Sequence, residues 1–199
     1  MAVRTGNWKQ NQIIDGNGFS VQVGNDGTAV TGGGNGTVID LDQPELYISV
    51  PSGTSIMPLR IRVDCTTPLI NADNDIAEIL IALDRTQAIT NGTGTTETPV
   101  NMRTDAAFTS ACTVMSALTG DCTDPVNPFS LEPAHRLLKA DVRGTDAGAF
   151  WGALWEDYEP REDLVIVGPA TLLVYWGGTV AVTGYCNASW IEASTSDWF

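Results

Sequence analysis

The chain has 199 residues and a mass of 21.2 kDa, and 43% of its residues are hydrophobic, enough for one good core, which an all-β sandwich of this length forms as a single domain. Aspartate and glutamate number 24 against 10 lysines and arginines, a formal charge of -14 and a sequence pI near 4.1; such a surface repels nucleic acid and anionic membrane, and no local basic patch offsets it. The opening MAVRTGNWKQNQ lacks the apolar core of a signal peptide, and no run reaches the roughly 20 apolar residues of a membrane span, so a soluble product that is not exported by that route is expected.

From Gly6 to Gly36 the chain reads as very short β-prone pieces: Gln12-Ile13-Ile14, Phe19 to Val23 and Thr28-Ala29-Val30. Turn chemistry separates them, in Asp15-Gly16-Asn17-Gly18, Asn25-Asp26-Gly27 and Gly32-Gly33-Gly34-Asn35-Gly36. So little apolar surface cannot fold this segment by itself, and residues 1–36 are expected to form an extended Gly-rich arm that needs something to lie on. Trp8, flanked by Arg4 and Lys9, is its candidate aromatic anchor; the competing reading is a terminus packed loosely on its own domain.

The sandwich domain is expected over residues 37–199. Glu45 to Val50 predicts a strand and Pro51 to Thr54 a turn; Ile56 to Asp64 alternates, with Leu59, Ile61 and Val63 inward and Arg60 and Arg62 outward, so the two runs read as a hairpin with one wet face. Ile76 to Leu83 fits a buried strand better than two turns of helix. The Gly- and Thr-rich stretch from Thr86 to Asn101 predicts an exposed loop, Phe108 to Leu118 another strand, and Ala134 to Val142 a short helix or strand. The segment from Leu164 to Glu192 carries three apolar runs cut by Gly168-Pro169 and Gly177-Gly178, and reads as three consecutive antiparallel strands with a tight turn at the glycine pair. About eight strands with long loops between them favour crossing connections of the Greek-key or jelly-roll type over a meander. The fold class is therefore all-β, a jelly-roll-like antiparallel sandwich.

Residues that carry chemistry are sparse. Cys65, Cys112, Cys122 and Cys186 follow no CxxC spacing, and His135 is the one histidine, so neither a zinc site nor a nucleophile–histidine pair has its parts; buried free thiols are expected, with a Cys112 to Cys122 bridge as the alternative. Glu156, Asp157, Glu159, Glu162 and Asp163 beside Trp151 and Trp155 have the residue types of a glycoside-hydrolase carboxylate pair with sugar platforms, although an acidic loop is more often a solvated edge. Asn71, Asp73 and Asp75 alternate like the start of a calcium loop, but Ile76 stands where an EF-hand needs glycine. No catalytic residue, cofactor or metal ligand is assigned. The six tryptophans exceed the needs of one core, which makes Trp151, Trp155 and the pair Trp198-Phe199 candidate anchors at a subunit contact, with Arg4, Trp8 and Lys9 at the other end.

A Gly-rich amino-terminal stretch, PELYISVPSGTSIMPLRIRV, polar loops and GPATLLVYWGGTVAVTGYCNASWIE follow in an order that resembles the capsid decoration or cement proteins on the heads of tailed bacteriophages. The resemblance covers most of the chain as a general pattern and carries over no catalytic residue. It implies a jelly-roll-like virion protein on the capsid surface, made in the host cytoplasm, forming a homo-oligomer, a trimer, whose partner is the major capsid protein. The rival expectation is a carbohydrate-binding, lectin-like or host-receptor-binding module using Trp and Tyr on a concave face or loop tip.

Overall fold

The computed structural model describes residues 7–25, 27–32, 39–66, 76–89, 92–106, 108–120, 122, 135–140, 155–160, 163–178 and 182–197. The first element is a helix, α1 (Trp8–Ile14), where Gln12-Ile13-Ile14 suggested a β piece. Local capping explains the difference. The Asn7 side chain accepts a hydrogen bond from the backbone N–H of Lys9 at 2.7 Å, and the last turn closes on Gly16 at φ +89, a conformation that glycine adopts without a Cβ penalty. These two ends outweigh the β preference of the isoleucines.

Strands follow: β1 (Gly18–Val23), β2 (Val30–Thr31), β3 (Leu46–Val50), β4 (Thr54–Cys65), β5 (Ile76–Asp84), β6 (Thr93–Glu97) and β7 (Val100–Asn101). Then come β8 (Thr113–Gly120), β9 (His135–Ala140), β10 (Trp155–Tyr158), β11 (Ile166–Val167), β12 (Ala170–Gly178) and β13 (Thr183–Ser194). They form two antiparallel sheets. The seven-stranded sheet runs β10-β4-β13-β1-β7, with β11 also paired to β4 and β2 to β13; the six-stranded sheet runs β6-β8-β3-β12-β5-β9. Between them lies a core drawn from both sheets, including Phe19, Val21, Ile48, Ile61, Val63, Ile81, Val174, Trp176, Cys186 and Trp190. The chain is an all-β sandwich, as its composition and strand patterning predict.

Several details depart from the expected layout. β3 and β4 do not pair with each other: β3 lies between β8 and β12, whereas β4 lies between β10 and β13. Likewise β11, β12 and β13 are consecutive in sequence but not neighbours, since β11 and β13 pair with β4 while β12 sits in the other sheet. Both expected hairpins are thus arches that carry the chain across the sandwich, which lets each strand bury a face against the opposite layer. The glycine pair expected in a turn belongs to β12, where Gly177 and Gly178 pair with Glu78 and Ala77 of β5. The described residues form thirteen strands, against the eight or so expected. The additional ones are short, and β6 and β7 lie within the stretch expected to be a loop.

Within residues 1–36, the described residues include α1, β1 and β2. β1 lies between β13 and β7, pairing Phe19 with Trp190 and Val21 with Ala188, and Phe19, Val21 and Val23 are buried. β1 thus lies along this chain's own β13. Gly33 to Gly36 lie outside the described residues.

Candidate interaction surface

Alternation along the strands of the seven-stranded sheet decides which residues meet solvent. In β4, Ile61, Val63 and Cys65 are buried and Arg60 and Arg62 exposed, as period two requires. Leu59, expected inward, is half-buried instead. The β4–β13 register passes from Arg60–Ser189 directly to Pro58–Trp190, which leaves Leu59 as the extra residue of a bulge. In β13, Cys186, Ala188 and Trp190 point into the core, while Tyr185, Asn187 and Ser189 face outward.

Cross-strand register arranges the outward residues in rows. Trp155 of β10 lies opposite Asp64 of β4, and Asp64 opposite Tyr185 of β13. The next row is Asp157, Arg62, Asn187 and Gln22; the third holds Arg60, Ser189, Ser20 and Val100. Paired charges cross these rows. Asp157 accepts from Arg60 Nε at 2.7 Å and from Nη2 at 2.5 Å, and Asp64 accepts from Arg62 Nε at 2.7 Å and from Nη2 at 3.0 Å. The Arg60 hydrogen bonds hold the Asp157 carboxyl below the usual carboxylate range, and Asp157 and Asp64 push their arginines up in turn. Asn187 Nδ2 donates to Gln22 Oε1 at 3.3 Å and to the Val21 carbonyl at 3.2 Å. On this exposed face each arginine is paired with an aspartate.

A second exposed region lies where α1 meets β7. Asn101 Nδ2 donates to the Gly16 carbonyl at 2.6 Å, Met102 N to the Gly18 carbonyl at 2.8 Å, and Arg103 Nη1 to the Ile14 carbonyl at 3.0 Å. A Cβ built on Gly16 would stand 2.7 Å from the Phe108 ring and one on Gly18 3.2 Å from the Met102 sulfur, so both side chains close over the glycines. Ile14, Val100, Met102 and Phe108 nevertheless remain 39–66% exposed, an apolar rim on an acidic protein.

Of the residues singled out in the sequence, Trp155 is exposed on the wet face and Trp8 is exposed on α1. Lys9 pairs with Asp163 at 2.6 Å. Arg4, Trp151, Trp198 and Phe199 lie outside the described residues, as do Glu162 and the Asn71, Asp73 and Asp75 group. The expected acidic loop is in part strand β10, in which Asp157 and Trp155 face outward and Tyr158 packs against the core. Asp157 and Asp163 hold cations, and Glu159 stands 4.0 Å from Arg60. Two buried carboxylates serve the fold: Glu45 accepts from Trp176 N at 2.8 Å, and Glu192 accepts from Ser110 Oγ at 2.6 Å and Ala111 N at 2.7 Å. The four cysteines are buried thiols outside any disulfide, as expected. Burial pushes the Cys65 thiol up to about 12 and raises Cys112 and Cys186 as well, which makes them poor nucleophiles.

Tyr185, Asn187 and Gln22 escaped the sequence reading, although the alternation of GYCNASW already sets Tyr185, Asn187 and Ser189 on one face. The apolar rim left no comparable trace, because its four residues are scattered singly along the chain. No protein-family model matches the chain, and no curated protein shows significant similarity to it.

Proposed function

We propose that the chain is a non-enzymatic structural protein of a phage virion, a capsid cement or decoration protein that assembles as a trimer and binds the major capsid protein at the head surface. The observation that carries this reading is the apolar rim of Ile14, Val100, Met102 and Phe108. The backbone beneath it is tied by hydrogen bonds from residues 101–103 to the Ile14, Gly16 and Gly18 carbonyls, and its four side chains remain exposed. An apolar surface fixed in position and presented to solvent is suited to a partner protein that covers it without ordering it first. Helix α1 buries none of its own residues, so it presents Trp8 and Ile14 outward from the edge of a rigid sandwich.

The test is sedimentation of the purified chain with DNA-free heads of the virus that encodes it, with light scattering to give the oligomer. Co-pelleting of a trimer is expected, together with its loss in the Ile14→Asp/Phe108→Asp variant, whose secondary structure is checked by circular dichroism. A monomer that stays in the supernatant overturns the reading, as does binding that the double variant leaves intact.

A further inference from the structure

The wet face of the seven-stranded sheet carries its own argument, independent of the virion reading. Trp155 and Tyr185 flank Asp64 in a single row across β10, β4 and β13. Two strand spacings separate their strands, roughly 9.6 Å, a length close to the disaccharide unit of an extended β-linked glycan. Trp155 is 56% exposed and Tyr185 half-buried on the same face. The π faces of both rings carry the negative side of a quadrupole, which attracts the electropositive C–H groups on the flat side of a pyranose.

The polar groups around the two rings narrow the class further. Arg60 is neutralised by Asp157 and Arg62 by Asp64, each through Nε and Nη2, which fixes both guanidinium planes. Asn187 and Gln22 add a side-chain amide pair in the adjacent row. Such a surface offers oriented hydrogen-bond donors and acceptors, and among its described residues no cation is left to attract phosphate, sulfate or uronate. The formal charge of -14 opposes anionic polymers as well. We infer that this sheet face is a binding site for a neutral, extended β-linked glycan, with Trp155 and Tyr185 as platforms two sugars apart and the Arg–Asp pairs and Asn187 contacting the hydroxyls between them.

Isothermal titration of the full chain with cellohexaose, mannohexaose and chitohexaose tests the inference, with polygalacturonate as the anionic control. Saturable binding of at least one neutral hexaose is expected, about tenfold tighter than its disaccharide, because only the longer chain reaches both rings. Trp155→Ala and Tyr185→Ala are each expected to weaken it about tenfold, and Tyr185→Phe to retain it. Tyr185→Ala should leave head binding and the oligomer unchanged, so this site and the apolar rim fail separately. The absence of saturation by every neutral probe at roughly 10 mM overturns the inference. So does a Trp155→Ala/Tyr185→Ala double variant that binds as well as the parent, or a preference for polygalacturonate.

Discussion

The two sheets bury their strands differently. Every residue of β12 in the six-stranded sheet is buried, whereas β13 in the seven-stranded sheet alternates from Thr183 to Trp190. In β12, Leu172, Val174 and Trp176 fill the inter-sheet core, while Leu173 and Tyr175 face the other way into a second cluster with Ile39, Leu80, Ala82, Ile89, Leu118 and Cys122. Loops cover that outer face and are pinned to it: Ile89 N donates to Thr171 Oγ1 at 2.8 Å, and Tyr175 Oη donates to the Leu41 carbonyl at 2.9 Å. On β13 the equivalent positions are Tyr185, Asn187 and Ser189, and they stay wet. β12 is enclosed on both sides at the centre of its sheet, whereas β13 keeps a face available for contact.

The largest way to break this division is to remove residues 1–36. If the segment were a detachable arm, the sandwich would survive. Because β1 supplies Phe19, Val21 and Val23 to the core and Phe19 stacks on Trp190 at 6.2 Å, the deletion is expected to abolish cooperative unfolding and near-ultraviolet dichroism; a sharp urea transition in the truncated chain would contradict the integrated strand.

A paired comparison sharpens the contrast between the two sheets. Leu173→Ala, on the loop-covered face of β12, is expected to cost about 2–5 kcal/mol, and Ser189→Ala, on the wet face of β13, to stay within about 0.5 kcal/mol. Urea midpoints at constant slope measure both. Equal costs would mean that the two outer faces are packed alike.

The smallest effect belongs to the paired charges. Asp157 has its folded pKa depressed by Arg60, so its stabilisation is fully present above the ordinary carboxylate range and is lost as pH falls through the lower folded value. Arg60→Ala is expected to lower neutral-pH stability only slightly, since the pair is solvent-screened, and to leave stability unchanged below the folded Asp157 pKa, so that the acid limb of the profile becomes shallower. A comparable loss at pH 7 and in the acid limb, measured by urea denaturation at each pH, would assign the pair a larger structural role.

What could be read from the sequence follows the same division. Ile76 to Leu83 and Ala170 to Gly178 are largely apolar runs, and both are strands of the six-stranded sheet, buried from Glu78 to Asp84 and from Ala170 to Gly178. The alternation of Arg60, Ile61, Arg62 and Val63 gave the wet and dry sides of β4 directly. Strand pairing was not legible. An apolar run followed by glycine has the same composition in a hairpin as in an arch, and only the opposing layer decides between them. The helix at Trp8 was hidden because two isoleucines carry a β preference while its Asn7 cap is one residue. The candidate contact surfaces were half legible: Trp155 stood out as an aromatic among acids, but Tyr185 joins it only through a register involving three strands far apart in sequence.

That register also dictates when the molecule can be completed. β13 occupies the middle of the seven-stranded sheet, with β4 on one side and β1 on the other, yet it is the last strand in chain order. Until it is in place, β4 and β1 have no common neighbour and each leaves a row of backbone N–H and C=O groups open. Closing the sheet then joins residues from the two ends of the sequence, Gly18 against Ile191, a long-range contact of the kind that slows folding. A chain interrupted before Thr183 would therefore carry two open strand edges, and its hazard would be sticking to its own copies.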